Sequence, residues 1–136
     1  METMNPDGLP PPIQNLYAQI SIAPPGRFAF IAGQVAMDEK GNLIGKGSYA
    51  EQATQCFTNI RTAIAALDAS SSDVARMTIN VVNHRPELIP VIFEAGLKVF
   101  GDQWPRTASI LLGVQALGLP DWLIEIDAIV ALPVQR

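Results

Sequence analysis

The sequence predicts a single α+β domain with elements in the order β-β-α-β-α-β-β, arranged as one mixed sheet with two helices on one face. Three observations predict it. Ala53, Cys56, Phe57, Ile60, Ile64 and Leu67 recur at helical spacing, and so do Leu88, Ile89, Ile92, Phe93, Leu97 and Phe100. Stretches such as "ARMTINVV" and "LIEIDAIVAL" alternate with period two, as strands do. A chain of 136 residues without internal repeat or linker suits one domain.

Residues 1–14, "METMNPDGLPPPIQ", are rich in Pro, Gly and Asn and read as an irregular arm, with the domain proper over 15–136. "LYAQISIA" alternates Ala18, Ile20 and Ile22 against Tyr17, Gln19 and Ser21, which predicts a strand with one wet face. "GRFAFIAGQVAM" predicts a second strand, followed by turn chemistry in "DEKGN". Ser48 and Glu51 have the spacing of a capping box, so the first helix starts there and stops near Asp68 in "DASSSD". In the next strand Met77, Ile79 and Val81 share one face and Arg76, Thr78, Asn80 and Val82 the other. Pro86 suits the first turn of the second helix, and Gly101 the position just past its end. "TASILLGV" and "LIEIDAIVAL" close the chain as strands.

Right-handed crossovers put both helices on one face of the sheet. The opposite face is expected to carry Tyr17, Gln19, Ser21, Thr78, Asn80, Thr107, Ser109, Glu125 and Asp127 among Phe and Leu. That mixture is too polar for a monomer's core and too apolar for open solvent, so it reads as an interface between identical subunits. Composition agrees. The chain is 49% hydrophobic and 16% charged, where soluble domains average about 25% charged residues.

Several function classes fall away. The net charge is −4 and the nine basic residues are scattered, which argues against nucleic acid as a partner. One cysteine, Cys56, excludes an internal disulfide framework and reads as a small buried hydrophobe. No basic leader with an apolar core and no apolar run of about 18 residues is recognisable, so the expected compartment is the cytoplasm, with no membrane partner. His84 is the one histidine; it lies far in sequence from any plausible nucleophile, and a structural or surface role is expected for it. Cys and His spacing offers no zinc site, and "GKGSYA" is no dinucleotide fingerprint. Gly33, ending a strand in "FIAGQ", marks a bend or a close approach of backbone. Trp104 and Trp122 flank loops and are expected at an interface.

The chain resembles the RidA (YjgF) family of reactive-intermediate deaminases. The resemblance is carried by "YAQ", "FIAGQVAMDEKGNL", "AEQATQCFTNIRTAIAALDASSSDVARMTINVV", "VIFEAGLKVFG" and "IEIDAIV", over roughly residues 15–132. It implies a chorismate-mutase-like fold and a homotrimer with a cleft between subunits. The implied activity is hydrolysis of 2-imino or 2-enamino acids to 2-keto acids and ammonia, without metal or organic cofactor. The implied partners are other copies of the chain and a small carboxylate-bearing metabolite. Glu125 matches the family's water-positioning glutamate and Tyr17 its cleft tyrosine. Ala32 stands where the family has a serine hydroxyl.

The family's carboxylate-gripping arginine has two candidate positions here. Arg106 in "WPRTASILLGVQAL" supplies the residue type, while an ungapped count back from Leu117 puts Ser109 at that place. An odd insertion within a strand would reverse its faces. Catalytic candidates are therefore Glu125 and Arg106, and substrate-binding candidates Tyr17, Gly33, Thr107 and Ser109. A trimer of the same family that binds a metabolite without turning it over is the alternative, and ribonuclease or translation-inhibiting activity the weaker one.

Overall fold

The computed structural model describes residues 1–134. Six strands and two α-helices follow one another as β1 (Glu2–Met4), β2 (Ile20–Ile22), β3 (Phe28–Gln34), α1 (Tyr49–Ala66), β4 (Val74–Val82), α2 (Leu88–Phe100), β5 (Ala108–Val114) and β6 (Ile124–Ala131). The main sheet has the order β3-β6-β4-β5. β6 runs antiparallel to both of its neighbours, and β4 and β5 are parallel, so the sheet is mixed.

Two expectations about the start of the chain are corrected. The arm is not wholly irregular, because Glu2–Met4 pairs antiparallel with Ile20–Ile22. The Asn5 side chain accepts from the Gln19 backbone N–H at 2.8 Å, and Gln19 Nε2 donates to the Pro10 carbonyl at 2.8 Å. Three residues are too few to show a period, and such a strand exists only through its partner. The predicted strand over "LYAQISIA" shrinks to its last part, and β2 belongs to this two-stranded ribbon rather than to the main sheet.

Both helices pack on one face of the main sheet, over Met77, Ile79 and Val81 of β4 and Ile124, Ile126, Ala128 and Val130 of β6, all buried. Ser48 caps α1 by accepting from the Glu51 N–H at 3.2 Å. Gly101, at φ 61°, ends α2 in a conformation that costs other residues more. Trp104 is in the core rather than at a surface, edge-on to Phe57, Phe93 and Phe100. Gln52 is fully buried and fully used: Nε2 donates to the carbonyls of Gly45 and Asp121, and Oε1 accepts from Leu123 N–H at 3.0 Å.

The other face of the sheet has no cover among the described residues. Phe30 is 76% exposed, with Phe28, Ile110 and Leu112 also exposed on that side. Here β5 corrects a further expectation. Ser109 is in register with buried Met77, and Leu111 with buried Ile79, so these side chains share the helix face, while Ile110 and Leu112 take the open one. β5 is apolar on both faces, so alternation could not choose between them.

Candidate functional site

Glu125 projects from β6 on the open face, level with Asn80 of β4. Between Ile31 and Gln34 the β3–β6 register slips, leaving a bulge at Ala32 and Gly33 opposite this part of β6. A bulge re-aims the backbone locally. At Gly33 a Cβ would stand 2.7 Å from Glu125 Cδ and 2.9 Å from Oε2. The glycine therefore vacates the volume that the carboxylate occupies, and the two predicted site residues are neighbours. The Asn80 side chain fixes the strand beneath by donating to the Glu125 backbone carbonyl at 3.2 Å. On the helix side, Cys56 Sγ contacts the Ile124 carbonyl at 3.4 Å. Burial pushes its thiol up to about 12, with the Glu125 charge adding to the effect.

Tyr17 and Ser109 meet elsewhere. They line a cleft of about 360 Å³ at the free edge of β5, walled by Ile89 and Phe93 of α2 and by Ile13 of the arm. His84, between β4 and α2, lines the same cleft. Its Nδ1 is buried and has no hydrogen-bond partner among the described residues. Residues 17, 84 and 109 are far apart in sequence, and only the lone histidine was a signal.

Thr107 and Arg106 hold the arm. The Thr107 hydroxyl donates to the Ala75 carbonyl at 2.7 Å and lies 2.8 Å from the Ser21 hydroxyl, which in turn accepts from Ala108 N–H. Arg106 Nε donates to the Asn15 carbonyl at 3.0 Å, next to Leu16, whose carbonyl accepts from Trp104 Nε1 at 2.8 Å. These bonds fix the turn that delivers Tyr17 to the cleft. Glu125 is level, through Asn80, with Leu112 of β5, whereas Arg106 precedes the start of that strand. The two are on the order of 20 Å apart along the strand direction, so one chain does not bring them together.

No group of three or more His, Cys, Asp or Glu side chains gathers to hold a metal among the described residues. No helix among them is long and apolar enough to cross a membrane.

Residues 10–132 match the family described as endoribonuclease L-PSP, which is the RidA (YjgF) family. The chain belongs to that family. A RutC family protein of Pyrococcus horikoshii is 31% identical over 105 residues, covering 76% of this chain and 79% of the relative. A 2-iminobutanoate/2-iminopropanoate deaminase of Dermatophagoides farinae is 27% identical over 107 residues, 79% of this chain and 80% of that protein. The crystal structure of YyfB, a Rid family protein of unknown function from Yersinia pestis, superposes with a TM-score of 0.84 at 32% identity, over 96% of this chain and 98% of that one. The α+β fold with two helices on a mixed sheet is thus the Rid fold.

Proposed function

We propose that the protein hydrolyses small 2-imino or 2-enamino acids to 2-keto acids and ammonia, in a cleft completed between copies of the chain. The observation that carries this reading is the Glu125 carboxylate seated in the space left by Gly33 on an uncovered sheet face. A carboxylate so held can orient a water and take its proton as the oxygen attacks the imine carbon. The carboxylate passes that proton to the imine nitrogen, giving a carbinolamine; the carbinolamine hydroxyl then gives up its own proton to the nitrogen, by way of the same carboxylate, as the C=O bond forms and the C–N bond breaks, and ammonia leaves. The substrate is electrophilic, so an oriented water and a base are sufficient machinery.

The same face supports an assembly of copies. Phe28, Phe30, Ile110 and Leu112 are exposed around Glu125 and Asp127, a pattern that suits burial against further copies. A homotrimer, the arrangement expected of the family, would let Glu125 of one subunit approach the Tyr17–Ser109 cleft of another. The deaminase relative supports the substrate class. A metabolite-binding trimer without turnover is favoured by one observation: the cleft is lined by Ser109, one of the two candidate positions for the family's arginine, and by no arginine among the described residues.

One experiment separates the two readings. An amino-acid oxidase generates the imino acid in situ, and semicarbazide traps what survives. The protein should lower the trapped amount, and Glu125→Gln should abolish that effect. No lowering by the intact protein would leave the binding reading in its place.

A further inference from the structure

We propose that the Tyr17–Ser109 cleft is the pocket for the substrate's side chain, and that it selects 2-imino acids whose side chain is aliphatic and larger than methyl. The inference rests on the deamination reading and adds the substrate class to it.

The chemistry of the lining comes first. Ile13 and Leu16 of the arm, Ile89 and Phe93 of α2, and Ile110 and Leu111 of β5 make the walls. No Asp, Glu, Lys or Arg side chain lines the cleft among the described residues. A charged group entering it would give up water without meeting an ammonium, guanidinium or carboxylate, whereas an aliphatic chain gains by leaving water. The uncharged end of an imino acid therefore goes in, and its carboxylate stays at the mouth. The Tyr17 and Ser109 hydroxyls supply neutral hydrogen-bonding groups for that polar end.

Size and rigidity narrow the choice. The cleft holds about 360 Å³, far more than a methyl group fills, so an alanine-derived imine leaves the apolar walls wet. A leucine-derived imine covers them with three further carbons. The walls do not close down on a small ligand, because Trp104 ties them together. Its buried ring meets Phe93 edge-on at 5.9 Å, and its Nε1 donates to the Leu16 carbonyl at 2.8 Å. Each aliphatic carbon buried contributes about fourfold in affinity, so three give on the order of 50-fold.

The place of the cleft fits the same role. Ile110 belongs both to its lining and to the open sheet face that carries Glu125. A side chain seated in the cleft thus leaves the reacting carbon of the substrate near the face that another copy covers.

The test compares two imines. D-amino-acid oxidase makes them from D-leucine and D-alanine, and semicarbazide traps what survives. The leucine-derived imine should be hydrolysed with a kcat/KM higher by on the order of 50-fold. Ile89→Phe fills the cleft and should lower that ratio by about tenfold. Ile13→Ser removes apolar wall at a residue that is 61% exposed, where the fold does not depend on it. It should lower the ratio by about threefold. By calorimetry, 4-methyl-2-oxopentanoate should bind more tightly than pyruvate or 2-oxoglutarate. A ratio near one, a ratio that neither variant changes, or equal binding of the three keto acids overturns the proposal. The deamination reading fails separately. Leucine and alanine imines hydrolysed alike keep the activity and remove the selective pocket. Selective binding of 4-methyl-2-oxopentanoate to a protein that hydrolyses no imine keeps the pocket and removes the activity.

Discussion

Gly33 and Glu125 are matched in shape: the missing Cβ of the first is the space filled by the carboxylate of the second. Gly33→Ala should therefore act on Glu125 and on little else. The Ala methyl meets the end of a flexible side chain, so the carboxylate moves aside and the fold persists. Misplacing a reacting group by about 1 Å costs on the order of 10²-fold in rate. The expected outcome is a thermal midpoint within a few degrees of the original and a large loss of imine hydrolysis, read by semicarbazide trapping. Full activity in Gly33→Ala would detach Glu125 from the chemistry.

Arg106 is best tested by separating its charge from its hydrogen bond. It donates to Asn15, in a turn where Gln14 and Asn15 have φ of 51° and 56°, a conformation that needs holding. Arg106→Ala should loosen the arm, speed proteolysis within residues 10–17 and raise KM through Tyr17, with kcat nearly kept. Arg106→Gln keeps a donor without charge and should recover most of the KM. If Arg106→Gln were as impaired as Arg106→Ala and the arm stayed protected, the guanidinium would be gripping substrate directly.

Gln52 joins α1 to two loops through hydrogen bonds to Gly45, Asp121 and Leu123. Gln52→Leu has nearly the same volume but leaves the half-buried Leu123 N–H and the Asp121 carbonyl without their side-chain partners. An unmade buried hydrogen bond costs about 1–3 kcal/mol. A loss of about 3 kcal/mol in urea unfolding at fixed protein concentration is expected. A change below about 1 kcal/mol would mean that water replaces the amide.

What could be read along the chain was whatever depends on near neighbours. Ser48 with Glu51, Pro86 and Gly101 bracket the helices, and the alternation of Met77, Ile79 and Val81 orients β4 in a way the packing bears out. The Gly33 bend and Glu125 were each legible by themselves. Their contact was not, because it depends on the β3–β6 register and a bulge. The orientation of β5 is hidden because Ile110, Leu111 and Leu112 offer no polar contrast, so alternation alone does not tell that Ser109 shares the face of Met77. The strand in the arm was invisible for a different reason: Glu2–Met4 is a strand only because Ile20–Ile22 lies beside it. His84 joined the cleft only when the fold placed residue 84 beside residues 17 and 109.

Cys56 gives a prediction about pH. Its thiol is raised from 9.0 to about 12, first by burial and then by the Glu125 charge on the neighbouring strand. In the unfolded chain the thiol ionises near its ordinary value, so between there and about 12 the unfolded state holds fewer protons than the folded one. Stability then falls as pH rises through that window, and below it the thiol contributes no slope. Cys56→Ala should flatten this alkaline loss, since alanine cannot ionise in either state. The same burial makes the thiolate scarce in the native protein, so a disulfide reagent at pH 8 should label Cys56 at the rate of unfolding. Urea titrations at pH 8 and pH 10, run on the original protein and on Cys56→Ala, check the slope. Fast labelling of the folded protein at pH 8 would show that the space between α1 and β6 opens to solvent.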